Sequence, residues 1–205
     1  NDKREHSVLL MPMIENLLKD CELTINDIDG FVVSKGPGSF TGLRIGMATI
    51  KGLSFGANKP YISLSSLDGL AYSLSYFNGI ICPIMDALRE NVYTALYKNE
   101  DGEFKNIMEP TPMELPDLLE MLKEKNEEVI FTGDGLLKHK EYIKVNFPNA
   151  KFASNHVSLT RASSIGELGL NLLKQGIKDD PNSAPVYLKK PQAERELEKR
   201  MRMSE

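Results

Sequence analysis

The 205-residue sequence lacks several features that would declare a function at once. No apolar run approaches the roughly 20 residues that a membrane-spanning helix requires. Positive charge is not in excess. A formal net charge of −4 and a pI near 5.5 exclude a protein that grips a nucleic-acid backbone unaided, so any work on RNA needs a partner to supply phosphate contacts. Cysteine is scarce. Cys21 and Cys82 stand in apolar surroundings without metal spacing and read as buried, reduced core thiols of a cytoplasmic protein. The three histidines, His6, His139 and His156, lie in unrelated segments, and none has a second histidine three to five residues away. His6 reads as a helix-start or interface residue, and His139 and His156, in polar and loop-like contexts, as solvated side chains. Neither Ser39, Ser65 nor Ser66 sits in a Gly-x-Ser-x-Gly elbow.

What is present is an ordinary globular composition, 41% hydrophobic and 26% charged, in a chain long enough to bury a core. Apolar residues Leu10, Ile14, Leu17, Leu18 and Cys21 recur at helical spacing and predict a helix over 6–21, kinked or delayed by Pro12. A turn at Asn26–Gly30 leads into a strand at Phe31–Ser34. A second helix is expected over Thr41–Phe55, a short strand at Ile62–Leu64, and a third helix over Ser66–Ser75. After the Asn78-Gly79 turn the pattern restarts. Ile80–Met85 and Val92–Tyr97 read as paired strands, with Asn99–Gly102 as the next turn. Helices are expected at Leu115–Lys125, Glu141–Asn146 and Ser163–Gln175, the last ended by Gly176, and a strand at Val129–Thr132. Strands and helices alternating in two similar stretches indicate an α/β architecture, divided as 1–78, 79–188 and a charged tail, 189–205. That tail carries six basic and three acidic residues between Lys189 and Arg202, a pattern that first reads as solvated helix or disorder and only secondarily as contact with RNA or a partner.

The segment Ser34-Lys-Gly-Pro-Gly-Ser-Phe-Thr-Gly-Leu-Arg-Ile-Gly46 joins a strand to a helix through a glycine-rich turn. Gly36, Gly38, Ser39, Thr41 and Gly42 make it a candidate anion or nucleotide loop, because such turns aim free backbone N–H groups at the helix start. Two phosphate codes fail, however. A P-loop needs glycine where Thr41 stands, and the third glycine of a dinucleotide fingerprint, Gly42, comes one residue late.

The full wording of that segment resembles the TsaB (YeaZ) family, bacterial accessory proteins in threonylcarbamoyladenosine modification of tRNA. The resemblance extends over His6–Ile14, Ser65-Ser66-Leu67-Asp68-Gly69-Leu70, Met85-Asp86-Ala87-Leu88-Arg89-Glu90-Asn91-Val92-Tyr93, Pro185-Val186-Tyr187-Leu188 and Gln192-Ala193-Glu194-Arg195. It implies two ribonuclease-H-like halves, the fold of actin, sugar kinases and the Hsp70 ATPase. Members of the family open with a β-hairpin whose first strand is central to the sheet, so the sequence is expected to lack about one hairpin. The resemblance also implies partners: a TsaD-like catalytic subunit, a TsaE-like ATPase, and tRNA through the complex.

TsaD-like proteins follow the same loop and helix with Asn-His-x-Glu-Gly-His, a metal-binding pair on one helix face. The matching positions here are Ser66, a poor ligand, and Leu70, which cannot ligate, so neither a metal nor a catalytic residue is expected. Within the superfamily, Asp86 and Asp134 are candidate remnants of the phosphate loops of actin-like ATPases. Each reads first as local structure, a strand-end cap for Asp86 and an Asx turn for Asp134. The rival functions are therefore an autonomous actin-like ATPase or phosphotransferase, and a metallopeptidase after the superfamily's glycoprotease label. No cofactor is expected in isolation, with ADP or ATP at a complex interface left open.

The first helix carries Val8, Leu9, Leu10, Met11, Met13, Ile14, Leu17 and Leu18, more apolar surface than one core face needs. On the second, Gly42/Gly46 and Gly52/Gly56 form a small-residue strip, readable as a docking surface or as packing on the protein's own sheet. The resemblance implies that these two helices pair with a second copy or with the catalytic partner, with Leu9, Met13, Leu43, Met47 and Ile50 as candidate interface residues and a homodimer when alone.

Overall fold

A computed structural model describes residues 6–87 and 91–188. The resemblance at Leu88–Glu90 and Gln192–Arg195, and the charged tail from Lys189, lie outside the described residues, as does the side chain of His6. The elements run α1 (His6–Asp20), a 3₁₀ turn (Ile25–Asp27), β1 (Phe31–Gly36), α2 (Phe40–Ala57), β2 (Tyr61–Ser65) and α3 (Ser66–Tyr72). They continue β3 (Ile80–Asp86), β4 (Asn91–Glu100), β5 (Glu103–Glu114), α4 (Leu115–Lys125), β6 (Val129–Thr132), α5 (Leu136–Asn146), β7 (Lys151–Phe152) and α6 (Ala162–Lys174).

β1 and β2 pair in parallel, Phe31 opposite Tyr61 and Val33 opposite Ser63. The other five strands form one sheet in the order β5-β4-β3-β6-β7. Within it β3, β6 and β7 are parallel, while β4 and β5 extend it as antiparallel neighbours. This mixed α/β arrangement agrees with the expected class.

The parallel strands are short and apolar because both faces are covered. Ile80, Cys82, Ile84, Val129 and Phe131 meet Leu115, Leu118, Leu119 and Leu122 of α4 and Ile143 of α5 on one side. Each of those leucines contributes about 1.5–3 kcal/mol of burial. On the other side Ile81, Ala95 and Tyr97 pack against Leu67, Leu70, Ala71 and Leu74 of α3 and the segment after it. A smaller core joins β1 to α2 through Phe31, Val33 and Met47, and another joins β2 to α6 through Ile62, Leu64 and Ile165. Gly69 and Gly169 make these contacts close: a Cβ at Gly69 would collide with Ile165, and one at Gly169 with Val32.

Several expectations are corrected. β5 is a twelve-residue strand that the sequence reading passed over. Its Pro110 and Pro112 and its many charges suppress the strand signal, yet an edge strand tolerates missing N–H donors. The two-residue β7 was also missed, and α5 begins five residues before the expected Glu141. α3 ends at Tyr72, three residues before the expected Ser75, and is capped by Ser65, whose Oγ accepts from the Leu67 N–H at 3.1 Å. Cys21 is exposed at the end of α1, whereas Cys82 is buried and its thiol is pushed up to about 12 by desolvation. His139 is buried rather than solvated, because the glycine turn at 133–135 starts α5 early and swings it inward.

Candidate functional site

The glycine loop follows the end of β1. Gly36 has φ +108°, a conformation that disfavours a Cβ, and its N–H reaches the Ser34 Oγ at 3.3 Å. Ser39 caps α2, its hydroxyl accepting from the Gly42 N–H at 3.4 Å. Gly38, Ser39 and Thr41 are exposed, but Gly36 is buried. What covers it is the chain's own segment after α6. The Val186 N–H donates to the Lys35 carbonyl at 2.9 Å, and a Cβ on Gly36 would lie 3.0 Å from the Val186 carbonyl oxygen. The candidate loop residues are therefore brought together, with part of the space above them filled by backbone.

At Ser66 and Leu70, the positions that the resemblance matches to metal-binding histidines, the structure turns both side chains inward. Ser66 Oγ lies 2.6 Å from Ser34 Oγ, a hydroxyl pair between α3 and β1. Leu70 is 1% exposed in the core beneath β3 and β4. Beside them stands Asp68, which sequence reading did not single out. Its Oδ2 accepts the Ser65 N–H at 2.7 Å, and its Oδ1 accepts the Tyr97 hydroxyl at 2.6 Å. Burial raises the Asp68 carboxyl above the ordinary carboxylate value, against the hydrogen bonds from Tyr97 and Ser65. The serine three residues before an acid was the available signal, a capping box.

Asp86 and Asp134 meet at the carboxyl ends of β3 and β6. Lys138 Nζ and His139 Nε2 approach the same oxygen of Asp86, at 3.4 and 3.8 Å. The His139 Nε2 is buried and makes no hydrogen bond among the described residues. Asp134 is raised chiefly by desolvation, and accepts hydrogen bonds from the backbone N–H groups of Asp86 and Gly135. It thereby ties the turn after β6 to the end of β3. A cleft of about 440 Å³ opens beside it, lined by Leu136, Leu137, Lys138, Asn155 and Leu159 among others. His156 is exposed, in the 3₁₀ turn whose Asn155 lines the same cleft. Among the described residues no three His, Cys, Asp or Glu side chains converge as a metal set, and no helix is long and apolar enough to cross a membrane.

The third surface is the outer face of α1 and α2. Leu9 and Met13 are exposed at 45% and 65%, and Val8, Met11 and Leu17 are exposed beside them. On α2 the assignment of the outer face is corrected. Leu43 and Met47 are buried and Ile50 packs with Met47 on Phe31 and Val33, so these three face the protein's own strands. The stripe left outside is Thr41, Arg44, Ala48, Gly52, Phe55 and Gly56. Gly46 packs on Val33, while a Cβ at Gly52 or Gly56 would meet nothing within 4 Å. Phe55 is 91% exposed. Helix periodicity alone cannot say which of two apolar faces is inward; the contact with β1 decides it.

The chain matches a family model described as TsaD, tRNA N6-adenosine threonylcarbamoyltransferase, over residues 2–197. It is 42% identical to the tRNA threonylcarbamoyladenosine biosynthesis protein TsaB of Bacillus subtilis over 142 residues, 69% of this chain and 62% of that protein. It is 30% identical over 174 residues to TsaB of Buchnera aphidicola subsp. Baizongia pistaciae, 80% of this chain and 77% of the relative. The chain thus spans less than two thirds of the Bacillus protein's length. In structure it is similar to YeaZ from Pseudomonas aeruginosa, with a TM-score of 0.71 at 23% identity over 90% of this chain and 85% of that one.

Proposed function

Since the chain belongs to the TsaB (YeaZ) family, we propose that it is a non-catalytic accessory subunit in tRNA threonylcarbamoyladenosine synthesis, binding and activating a TsaD-like transferase. The observation that carries this reading is the fate of the two histidine positions. Ser66 is committed to Ser34, and Leu70 is a core residue, so α3 presents no ligand where a transferase would hold its metal. Chemistry then belongs to the partner, and this chain contributes surface. Leu9 and Met13 on α1, with the Ala48, Gly52, Phe55 and Gly56 stripe on α2, supply an apolar face that fits a second helix pair. The same face would serve a homodimer in isolation, so self-association competes with the catalytic subunit by mass action. A TsaE-like ATPase and tRNA join through the complex, and ADP or ATP bound there would sit at the subunit interface. Reconstitution with and without this chain tests the reading. Modification should collapse when it is omitted, and undiminished modification would overturn the assignment.

A second reading, an autonomous actin-like nucleotide enzyme, draws on the cleft beside Asp134 and its position at the carboxyl ends of parallel strands. Calorimetry of the purified chain with ATP and magnesium separates the two: binding with turnover favours the enzyme, and silence favours the accessory subunit.

A further inference from the structure

The glycine loop has a use that its phosphate-like wording conceals. After Gly176 ends α6, the chain passes β2, turns at Pro181-Asn182 and reaches the start of α2. The Asp179 N–H donates to the Tyr61 carbonyl at 2.9 Å, the Ser63 hydroxyl donates to the Asp179 carboxylate, and the Tyr61 hydroxyl donates to the Asp180 carbonyl at 2.8 Å. These contacts anchor the near end of the segment. The far end is held differently. The Val186 N–H bonds the Lys35 carbonyl, and the Val186 carbonyl passes over the bare Cα of Gly36. Tyr187 then closes on α2: its hydroxyl accepts from Arg44 Nε at 2.9 Å, and its ring lies 4.9 Å from that of Phe40. The Arg44 guanidinium sits 4.0 Å from the Phe40 ring centroid and 5.8 Å from that of Tyr187.

Few contacts among the described residues hold this far end. Among the described residues it has one backbone hydrogen bond, one side-chain hydrogen bond and a ring stack, and Val186 at 43% and both Phe40 and Tyr187 at 39% remain accessible. Exposed cation–π contacts of this kind are individually weak, and segments held by few contacts open locally long before the fold does.

We propose that Pro185–Tyr187 is a latch, docked in cis on a receptor formed by Lys35, Gly36, Phe40 and Arg44, which opens as a unit and, while shut, denies the first turn of α2 to any other ligand or chain. Gly36 is then glycine because a backbone crosses it, and Arg44 points outward because its partners are the two rings. The latch stands on contacts within one chain and does not depend on the accessory-subunit reading.

The test is hydrogen exchange on the full chain. Tyr187→Ala and Arg44→Ala, both at accessible positions, should each speed exchange of the Val186 amide by about 2- to 30-fold, the span of exposed to desolvated cation–π pairs. The Gly42 and Leu43 amides should quicken in step, while those of β3 and β6 stay at wild-type rates. Tyr187→Phe, which keeps the ring and loses the hydroxyl, should fall between. A peptide Ser-Ala-Pro-Val-Tyr-Leu added to Tyr187→Ala should restore protection at Gly42 and Leu43. Val186 protection unchanged in both alanine variants would overturn the latch, as would exchange at Gly42 and Leu43 that does not follow Val186.

Discussion

Tyr97 on β4 donates its hydroxyl hydrogen to Asp68 on α3 across 2.6 Å, the contact that fastens the helix after the first strand pair to the larger sheet. Both groups are largely withdrawn from water, and the same carboxyl caps its own helix through Ser65. Removing the hydroxyl alone strands one oxygen of that carboxyl. Tyr97→Phe should therefore cost about 1–3 kcal/mol of unfolding free energy, read as a lower urea midpoint with unchanged m-value. A double variant with Asp68→Asn should cost less than the sum of the two single changes, since the partners share one interaction. Strict additivity would mean the bond carries no coupling.

Proton binding at Asp68 sets a direction for pH dependence. Burial, the largest influence, lifts the carboxyl above its ordinary value, so the folded protein holds this proton more tightly than the unfolded chain does. The associated stability is complete below the ordinary carboxylate pKa of about 4 and is lost as pH rises through the raised value. Asp68→Asn cannot ionise and should flatten this part of the stability profile in urea titrations run from about pH 4 upward. A slope identical to that of the wild type would show that Asp68 titrates normally.

The outer helices offer an assembly test. Leu9→Glu and Met13→Glu place charge on exposed apolar positions of α1 and should leave thermal unfolding within about 0.5 kcal/mol of wild type. They should nevertheless weaken self-association and binding to a TsaD-like subunit, measured by sedimentation and titration. Full retention of both would move the interface elsewhere.

Two glycines on α2 separate folding from docking. Gly52→Ala and Gly56→Ala fill open space on an exposed helix face and should each stabilise the isolated chain by up to about 1 kcal/mol. If the small-residue strip seats another backbone, the same variants bind the partner less tightly. A gain in stability with unaltered affinity would assign the glycines no part in docking.

Gly133 should behave in the opposite way. It holds φ +102°, and a Cβ there would run into the Ile84 carbonyl. Gly133→Ala should destabilise by more than about 2 kcal/mol and loosen the turn that Asp134 pins, seen as a fall in melting temperature. An unchanged melting temperature would mean that the turn relaxes without cost.

The parts of the molecule legible in sequence were those whose signal is local. Ser39 before a helical run, Leu115–Lys125 with its leucines at helical spacing, and the apolar runs around Cys82 and Phe131 each announce themselves within a dozen residues. β5 was hidden because Pro110 and Pro112 are unfavourable everywhere except at the rim of a sheet, and rim position is a property of the whole topology. Which face of α2 is inward was equally non-local: Leu43 and Met47 look as well suited to a partner as to β1 until the strand is placed beneath them. The covering of Gly36 by Val186 joins residues about 150 positions apart, and no spacing rule spans that distance. Asp68 was the exception, a local capping signal that was present and passed over because its longer reach, to Tyr97, was not.

Helix α3 has no free side. Leu67, Leu70 and Ala71 belong to the core beneath β3 and β4, Ser66 is bonded to β1, and Gly69 is pressed against α6. A seven-residue helix of this kind has too few turns to persist alone. Its burial on one side therefore presupposes order on the other, and neither sheet can melt without stripping the cover from its neighbour. The described chain should accordingly lose structure in one cooperative step, with fluorescence, circular dichroism and calorimetry expected to report the same midpoint; separate midpoints would show that the two sheets melt independently.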